Sequence, residues 1–600
     1  MPGERREVTI REVSLLALGA ALLAVVMHWP LALNLETTIP KDLGDPLAQA
    51  WQAAWGGHAL AEQPLEFFQS NQFWPLPDTL AFSDALIGYA PAGLVGEGPE
   101  AAVTRYNLLF LFAYALAFAG AYLLARELGF GPGPALVAGA AFAFAPFRLE
   151  QDGHLHIVSS GGIPLALAAG LRGYRLRRPL AVVAGFTVAA WQLSIGFSLG
   201  LPFAYLLALL GLIGLVVWLR RGRPPLPRAL VVATVAGLAI FLGSAFALSR
   251  PYERVREDHP QSERPPEVVE AYSGPAYVFL VAPAENEVWG GATAGLRDDL
   301  TNVPEKTLFP GLIILVLAGL GLLSASGGLS RPLRIGLGLG ALGVSVLALG
   351  FQTEEGLLWP YRAVYELLPG WEGIRTPGRL VTFSSLALAL LAAGGAAALA
   401  SARPRTENVE NSRFPAPGTE NVQISTFSGV KGGLPGGGWR AAALGLLVLL
   451  IVVEGRGLPF DPRDVQAQPP VPAVPPSVAD VPAPQLHLPA DRPEDNRRYL
   501  LWSTDGFPDI VNGRSSVDPV LTERLITAAR PFPDRRSVAI LREAGVRSVI
   551  LHTGRARGTA WEDAAAQPVR GLGVERSRRG DLLIYGLASA GSEPPEPGSR

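Results

Sequence analysis

"VSLLALGAALLAVVMHWPLAL" (13–33), followed by "TTIPKDLGDPLAQAWQAAWGGHAL" (37–60), decides how the rest of the chain is read. The first stretch has about 20 apolar residues, the length an α-helix needs to cross a hydrocarbon layer of roughly 30 Å. The second puts two carboxylates, Asp42 and Asp45, just past that run, with a Trp-rich segment behind them. What those carboxylates can do depends on the side of the bilayer they occupy. Arg5, Arg6 and Arg11 precede the run as in a signal peptide, but the run is long and further spans follow, so it reads as an uncleaved anchor.

Composition agrees with a membrane chain. Of 600 residues 49% are hydrophobic and 17% charged, and the mean hydropathy of +0.28 is too apolar for a soluble domain of this size. The net charge of −2 argues by itself neither for nor against nucleic acid, because in a polytopic chain the distribution of charge carries the information. No nucleic-acid partner is expected of this class. The absence of cysteine excludes disulfides, thiolate metal sites and a Cys nucleophile.

By the same length criterion about eleven spans are expected: 13–33, 105–126, 133–148, 157–173, 179–196, 199–219, 228–248, 308–326, 334–351, 379–401 and 440–455. Arginines collect in alternate connections: Arg172, Arg175, Arg177 and Arg178; Arg220, Arg221, Arg223 and Arg228; Arg331 and Arg334; Arg403, Arg405, Lys431 and Arg440. All fall on the N-terminal side, so the positive-inside rule gives a cell-membrane protein with a cytoplasmic N-terminus and an extracytoplasmic C-terminus. Segments 34–104, 149–156, 249–307, 352–378 and the tail from 456 then lie outside. Among the inner connections, 401–438 is polar, Gly/Pro-rich and carries "TENV" twice, the composition of a disordered loop.

Asp45-Pro46 reads as a helix start, since Asp accepts from free first-turn amides and Pro suits the first helical position. Trp51, Trp55 and His58 follow on one helical stripe, expected to lie along the membrane surface with the rings at headgroup depth. "FFQSNQFWPLPDTLAFSD" continues as a juxtamembrane hairpin with Asp78 and Asp84 on an acidic edge. Glu97, Glu100 and Glu127 read as solvated. The loop 249–307, rich in charge and Pro but carrying Tyr272, Tyr277 and Trp289, serves either as a cover for a cavity or as a spacer.

The tail begins as a Pro-rich linker, 456–490, with no means of building a core. Residues 491–600 then alternate elements: a strand at 497–503, helices at 519–530 and 535–545, and strands at 546–552 and 581–587 flanking a polar stretch. This is a small α/β domain suited to holding an acceptor or closing over a cavity. "GFPDIVNG" (506–513) reads as a structural turn.

A first span followed by a long outer loop with acidic residues just past the span, then surface helices, resembles the GT-C superfamily of polytopic glycosyltransferases. "GIRTPGRLVTF" (373–383) is similar to the segment entering a late span in bacterial members, and "FPDIVNG" and "LREAGVRSVILH" (541–552) look like parts of their C-terminal domain. The resemblance implies an all-α membrane domain over residues 1–455 with a small exoplasmic C-terminal α/β domain. It also implies sugar transfer from a polyprenyl-phosphate donor to an extracytoplasmic glycan, envelope polymer or protein. Asp45 is then the first choice for the base or metal ligand, with Asp42 second. Arg375 and Arg379 become candidate phosphate partners, since guanidinium matches phosphate oxygens, and their position at the outer end runs against the positive-inside bias.

Glu150, Asp152, His154 and His156 in "LEQDGHLH" (149–156) are expected on one face, in reach of an acceptor or of a divalent metal such as Mg or Mn. Each residue also has a plain reading: Asp45 as a helix cap, Asp42 as a solvated charge, the two His as interfacial hydrogen-bonding groups, the two Arg as headgroup anchors. A transporter or flippase would want charges or breaks at mid-membrane and internal repeats; the span interiors are nearly free of Asp, Glu and Lys, with His28 and Gln192 among the few polar exceptions. A non-catalytic envelope-assembly factor is the other alternative, and it would tolerate loss of both aspartates.

Overall fold

The first apolar run is the helix Ile10–Met27, begun by the Thr9 hydroxyl, which accepts the Glu12 N–H at 3.1 Å. It stops just short of Trp29-Pro30, where a residue preceding proline resists helical geometry. The computed structural model describes residues 7–351, 360–401, 438–456 and 468–587. Among the described residues eight helices are long and apolar enough to cross a membrane by length and composition: Ile10–Met27, Gly98–Leu128, Leu155–Leu176, Phe197–Arg220, Arg228–Asp258, Arg331–Ala348, Pro377–Ser401 and Gly438–Arg456. The other expected spans, 133–148, 179–196 and 308–326, are the apolar helices Pro132–Ala143, Pro179–Ile195 and Leu312–Leu323, of 12, 17 and 12 residues. The first is cut short ahead of Pro146, and the last starts only after Pro310-Gly311, where Gly311 takes φ +102.

This is a multi-pass membrane protein. Its outermost helices expose rows of large apolar side chains, Leu209, Leu212 and Ile213 on Phe197–Arg220 and Val231, Val235, Leu242 and Phe246 on Arg228–Asp258, as a lipid-facing surface requires. Inside, Gly98–Leu128 packs against Ile10–Met27, Pro132–Ala143 and Gly162–Leu176, while Val381–Ser401 packs against Leu312–Leu323, Arg331–Ala348 and Pro132–Ala143. Glu127, expected to be solvated, is buried at one end of this bundle, pairing with Arg172 at 2.7 Å and with Arg175. A buried carboxylate persists only with such partners.

The segments grouped on one side by their charge meet in space. Lys41 bridges Glu150 at 3.1 Å and Glu285 at 2.6 Å, Arg256 pairs with Glu372 at 2.7 Å, and Arg497 of the tail reaches Asp45 at 3.1 Å. The surface helix Asp45–Glu62 packs on the segment Ile87–Leu94 through Gly57 and Gly93, where a Cβ on Gly57 would fall 1.9 Å from the Gly93 carbonyl carbon.

Its Trp stripe does not face headgroups. Trp51 and Trp55 are 1% and 3% exposed and pack with Leu500 and Ile510 of the C-terminal domain. Their indole N–H groups donate to Asn71 and to the Phe67 carbonyl at 3.0 and 3.1 Å. The domain itself covers the helix, and its apolar area is removed from water there rather than at the lipid surface.

That domain holds a four-stranded sheet, β1 Gln485–Leu488, β2 Ser548–His552, β3 Val574–Arg579 and β4 Leu582–Leu587, in the order β1-β2-β4-β3. β1 pairs parallel to β2, and the other pairings are antiparallel. Helices Val520–Ala528 and Arg535–Glu543 fall where expected, and Asn512 is structural, bonding both the N–H and the carbonyl of His487.

Three readings need correction. Residues 497–502 of the expected strand 497–503 belong to a helix, Pro493–Trp502, opened by Pro493 with Glu494 and Asp495 in its first turn and capped by Ser503. β1 lies inside the stretch read as coreless linker, because a short alternating run buried by neighbouring strands needs little sequence of its own. β3 occupies the stretch read only as polar, an exposed edge strand whose outward side chains hide its periodicity. Most of 401–438 and the linker residues 457–467 lie outside the described residues.

Candidate functional site

Where these segments converge is a cavity of about 290 Å³. Asp45, Gln49 and Gln52 of the surface helix line it, with Asp84, His156, Ser198, Arg375 and Arg379. Arg264 and Tyr272 come from the loop 249–307, and Arg497, Arg514, Ser515 and Ser516 from the C-terminal domain. Five guanidinium groups thus face two carboxylates, and the cavity wall is cationic. Its shape and charge suit a polar, anionic ligand reaching it from the bundle's end.

Asp45 is the first residue of its helix, but Gly44 holds the capping position and the carboxylate makes no cap. Instead Asp45 points to Arg497 at 3.1 Å and to His154 Nε2 at 3.5 Å. The cap at this turn comes from Asp42, whose Oδ1 accepts the Gly44 N–H at 2.7 Å. Asp42 is exposed and does not line the cavity.

The four residues of 149–156 do not share one face. Alternate residues align in an extended chain, but here residues 146–153 form a tight three-per-turn helix that turns them apart. Glu150 goes to Lys41, and burial, opposed by Lys41, raises its carboxyl to about 7. Asp152 accepts from the Tyr114 hydroxyl, and burial raises it to about 6. His154 touches Asp45 and is held below its ordinary value by burial and by the charge of Arg379. His156 alone of the four reaches the cavity, between Gln49 at 3.3 Å and Arg379 at 3.1 Å.

Arg375 and Arg379 stand at the start of the late span with different surroundings. Arg379 is held by Glu305, Nε to Oε2 at 3.2 Å and Nη2 to Oε1 at 2.5 Å. Burial alone would raise the Glu305 carboxyl, but the Arg379 charge brings it down to about 2. Arg375 stacks 4.8 Å over the Tyr272 ring and bonds no carboxylate among the described residues.

Several lining residues escape the sequence reading. Asp84 was legible only as part of an acidic edge; buried, and raised by that burial, it accepts from Phe197 N at 2.7 Å and Ser198 Oγ at 2.5 Å, capping Phe197–Arg220 from a distance. Gly196 permits the approach, since a Cβ there would lie 2.7 Å from the Asp84 carboxyl carbon. Glu305, Arg264, Arg497 and Arg514 carried no local signal, being single charged residues in polar segments.

Among the described residues no group of three or more His, Asp or Glu side chains is arranged to hold a metal ion. The cavity's own donors, Asp45 and Asp84 set among five arginines, do not fit a divalent cation.

The fold is that of a multi-pass membrane protein, and as a fold it is similar to a solved membrane enzyme. The mycobacterial arabinofuranosyltransferase AftD is a structural neighbour in two classes of a point mutant. One has a TM-score of 0.52 at 14% identity over 97% of this chain, the other 0.51 at 15% over 98%. This chain spans 42% of the length of either neighbour. Neither a family profile nor a curated protein sequence matches the chain.

Proposed function

We propose that this chain is a membrane glycosyltransferase that moves a sugar, hexose or pentose, from a polyprenyl-phosphate donor to an extracytoplasmic glycan, envelope polymer or protein. The observation that carries the reading is the single cavity in which Asp45 meets Arg375 and Arg379, at the end where every segment of one charge class converges. The likeness of fold to an arabinofuranosyltransferase supports it and favours a pentose. The Arg-rich connections at the opposite end support a cytoplasmic N-terminus, with the three short apolar helices completing eleven crossings in the cell membrane.

In this mechanism the acceptor hydroxyl gives its proton to the Asp45 carboxylate as its oxygen bonds the anomeric carbon. The bond from that carbon to the phosphate oxygen breaks, and the lipid phosphate leaves with the electron pair. Guanidinium groups, fixed before the reaction, meet the charge that develops on it. Arg497 orients the Asp45 carboxylate from the C-terminal domain, which closes the cavity over the reactants. Asp42 acts one step removed, fixing the turn that aims Asp45.

Asp45→Asn, assayed for transfer from a polyprenyl-phosphate sugar in proteoliposomes, should lower kcat by about 10²- to 10⁴-fold, the range for loss of a general base. Asp42→Asn should lose far less. Full activity in the Asp45 variant would remove the carboxylate mechanism.

A further inference from the structure

Arg379 enters the cavity already neutralised, with Glu305 on two of its nitrogens and His156 on the third. The cationic charge left over lies elsewhere. The Arg375 guanidinium carbon lies 4.8 Å over the Tyr272 ring, and the side chain lines the cavity, where a cation–π contact does not use up its N–H donors. Arg264 lines the same wall and is held from two sides: its carbonyl accepts from the Tyr365 hydroxyl at 2.8 Å, and its Nη2 donates to the Ser516 carbonyl at 3.0 Å. Neither arginine bonds a carboxylate among the described residues.

Two like charges kept together in a half-buried wall repel each other, and the arrangement is relieved when an anion bridges them. The Arg264 guanidinium feels this directly: burial, and then the Arg375 charge, make it hold its proton less firmly than an ordinary arginine.

We propose that Arg264 and Arg375 form a two-arginine clamp for the phosphate of a lipid donor, a diester while it carries the sugar and a monoester once the sugar has left, with Arg379 serving to position His156 instead of binding phosphate. The inference rests on the glycosyl-transfer reading and deepens it. Because Ser516 holds Arg264, the clamp is complete only when the C-terminal domain is docked, so this domain takes part in donor binding as well as in covering the cavity.

The test uses the full chain in nanodiscs, titrated calorimetrically with farnesyl phosphate, with inorganic phosphate and farnesol as companion probes. Wild-type protein should bind farnesyl phosphate, and Arg264→Ala and Arg375→Ala should each weaken binding by about 10- to 100-fold, the worth of a charge-assisted hydrogen bond. Should Arg264→Ala fail to fold, Arg264→Gln retains a donor for the Ser516 carbonyl and should show the same loss. Unchanged affinity in the Arg264 variants, with loss in Arg375→Ala, overturns the clamp and leaves the transferase reading standing. No binding by wild-type protein overturns both. Inorganic phosphate binding as tightly as farnesyl phosphate overturns the lipid source, and farnesol binding as tightly overturns recognition through phosphate.

Discussion

Glu305→Gln removes one charge from the most enclosed ion pair of the site, and its effect can be worked out in advance. The Glu305 and Arg379 side chains are 8% and 10% exposed. The Glu305 carboxyl lies at about 2 against an ordinary 4.5, a difference of about 2.5 pH units, or about 3 kcal/mol at ~1.36 kcal/mol per unit. Removal of one partner of a buried pair costs about 3–5 kcal/mol by mutational precedent, since the other charge is left uncompensated. The two routes agree.

Because the folded-state value is depressed, this stabilisation is fully present above the ordinary Glu range and is lost as pH falls from about 4.5 toward 2. Unfolding by denaturant, followed through the chain's 12 tryptophans, should therefore show wild type losing about 3 kcal/mol more than Glu305→Gln across that window. Arg379→Gln should cost clearly less in the Glu305→Gln background than alone, because the partner charge is already gone. Equal stability of wild type and Glu305→Gln at pH 7, or parallel acid profiles, would refute the pairing and with it the view that Arg379 is neutralised.

Two further outcomes bear on topology and cofactor. Since the chain has no cysteine, single thiols at the exposed positions of Arg221→Cys and Arg578→Cys should report side without background. A membrane-impermeant maleimide added to intact cells should label Arg578→Cys and not Arg221→Cys, and the reverse pattern would invert the proposed orientation. With guanidinium groups carrying the phosphate charge, transfer should persist in excess EDTA; loss that Mg or Mn restores would assign that charge to a metal instead.

Most of what was legible in the sequence follows from the bilayer. A crossing helix must be long and apolar, so hydropathy alone located the apolar helices, eight of which among the described residues are long enough to cross. Arg375 and Asp45 stand out in the sequence because each breaks an expected pattern, a cation where the arginine bias expects few and an acid just past an apolar run. Folding alone decided what depends on contacts between segments far apart in the chain. Trp51 and Trp55 look the same in sequence whether lipid or protein covers them, and residues more than 400 positions away cover them. Residues 497–503 read as a strand, whereas 497–502 form the second half of a helix that packs on the surface helix. Arg264, Arg497 and Glu305 are unremarkable charges in polar loops, and their roles arise only where the folded chain sets them against Arg375, Asp45 and Arg379, because electrostatic interactions in a half-buried cavity depend on distance and burial, neither of which a linear sequence contains.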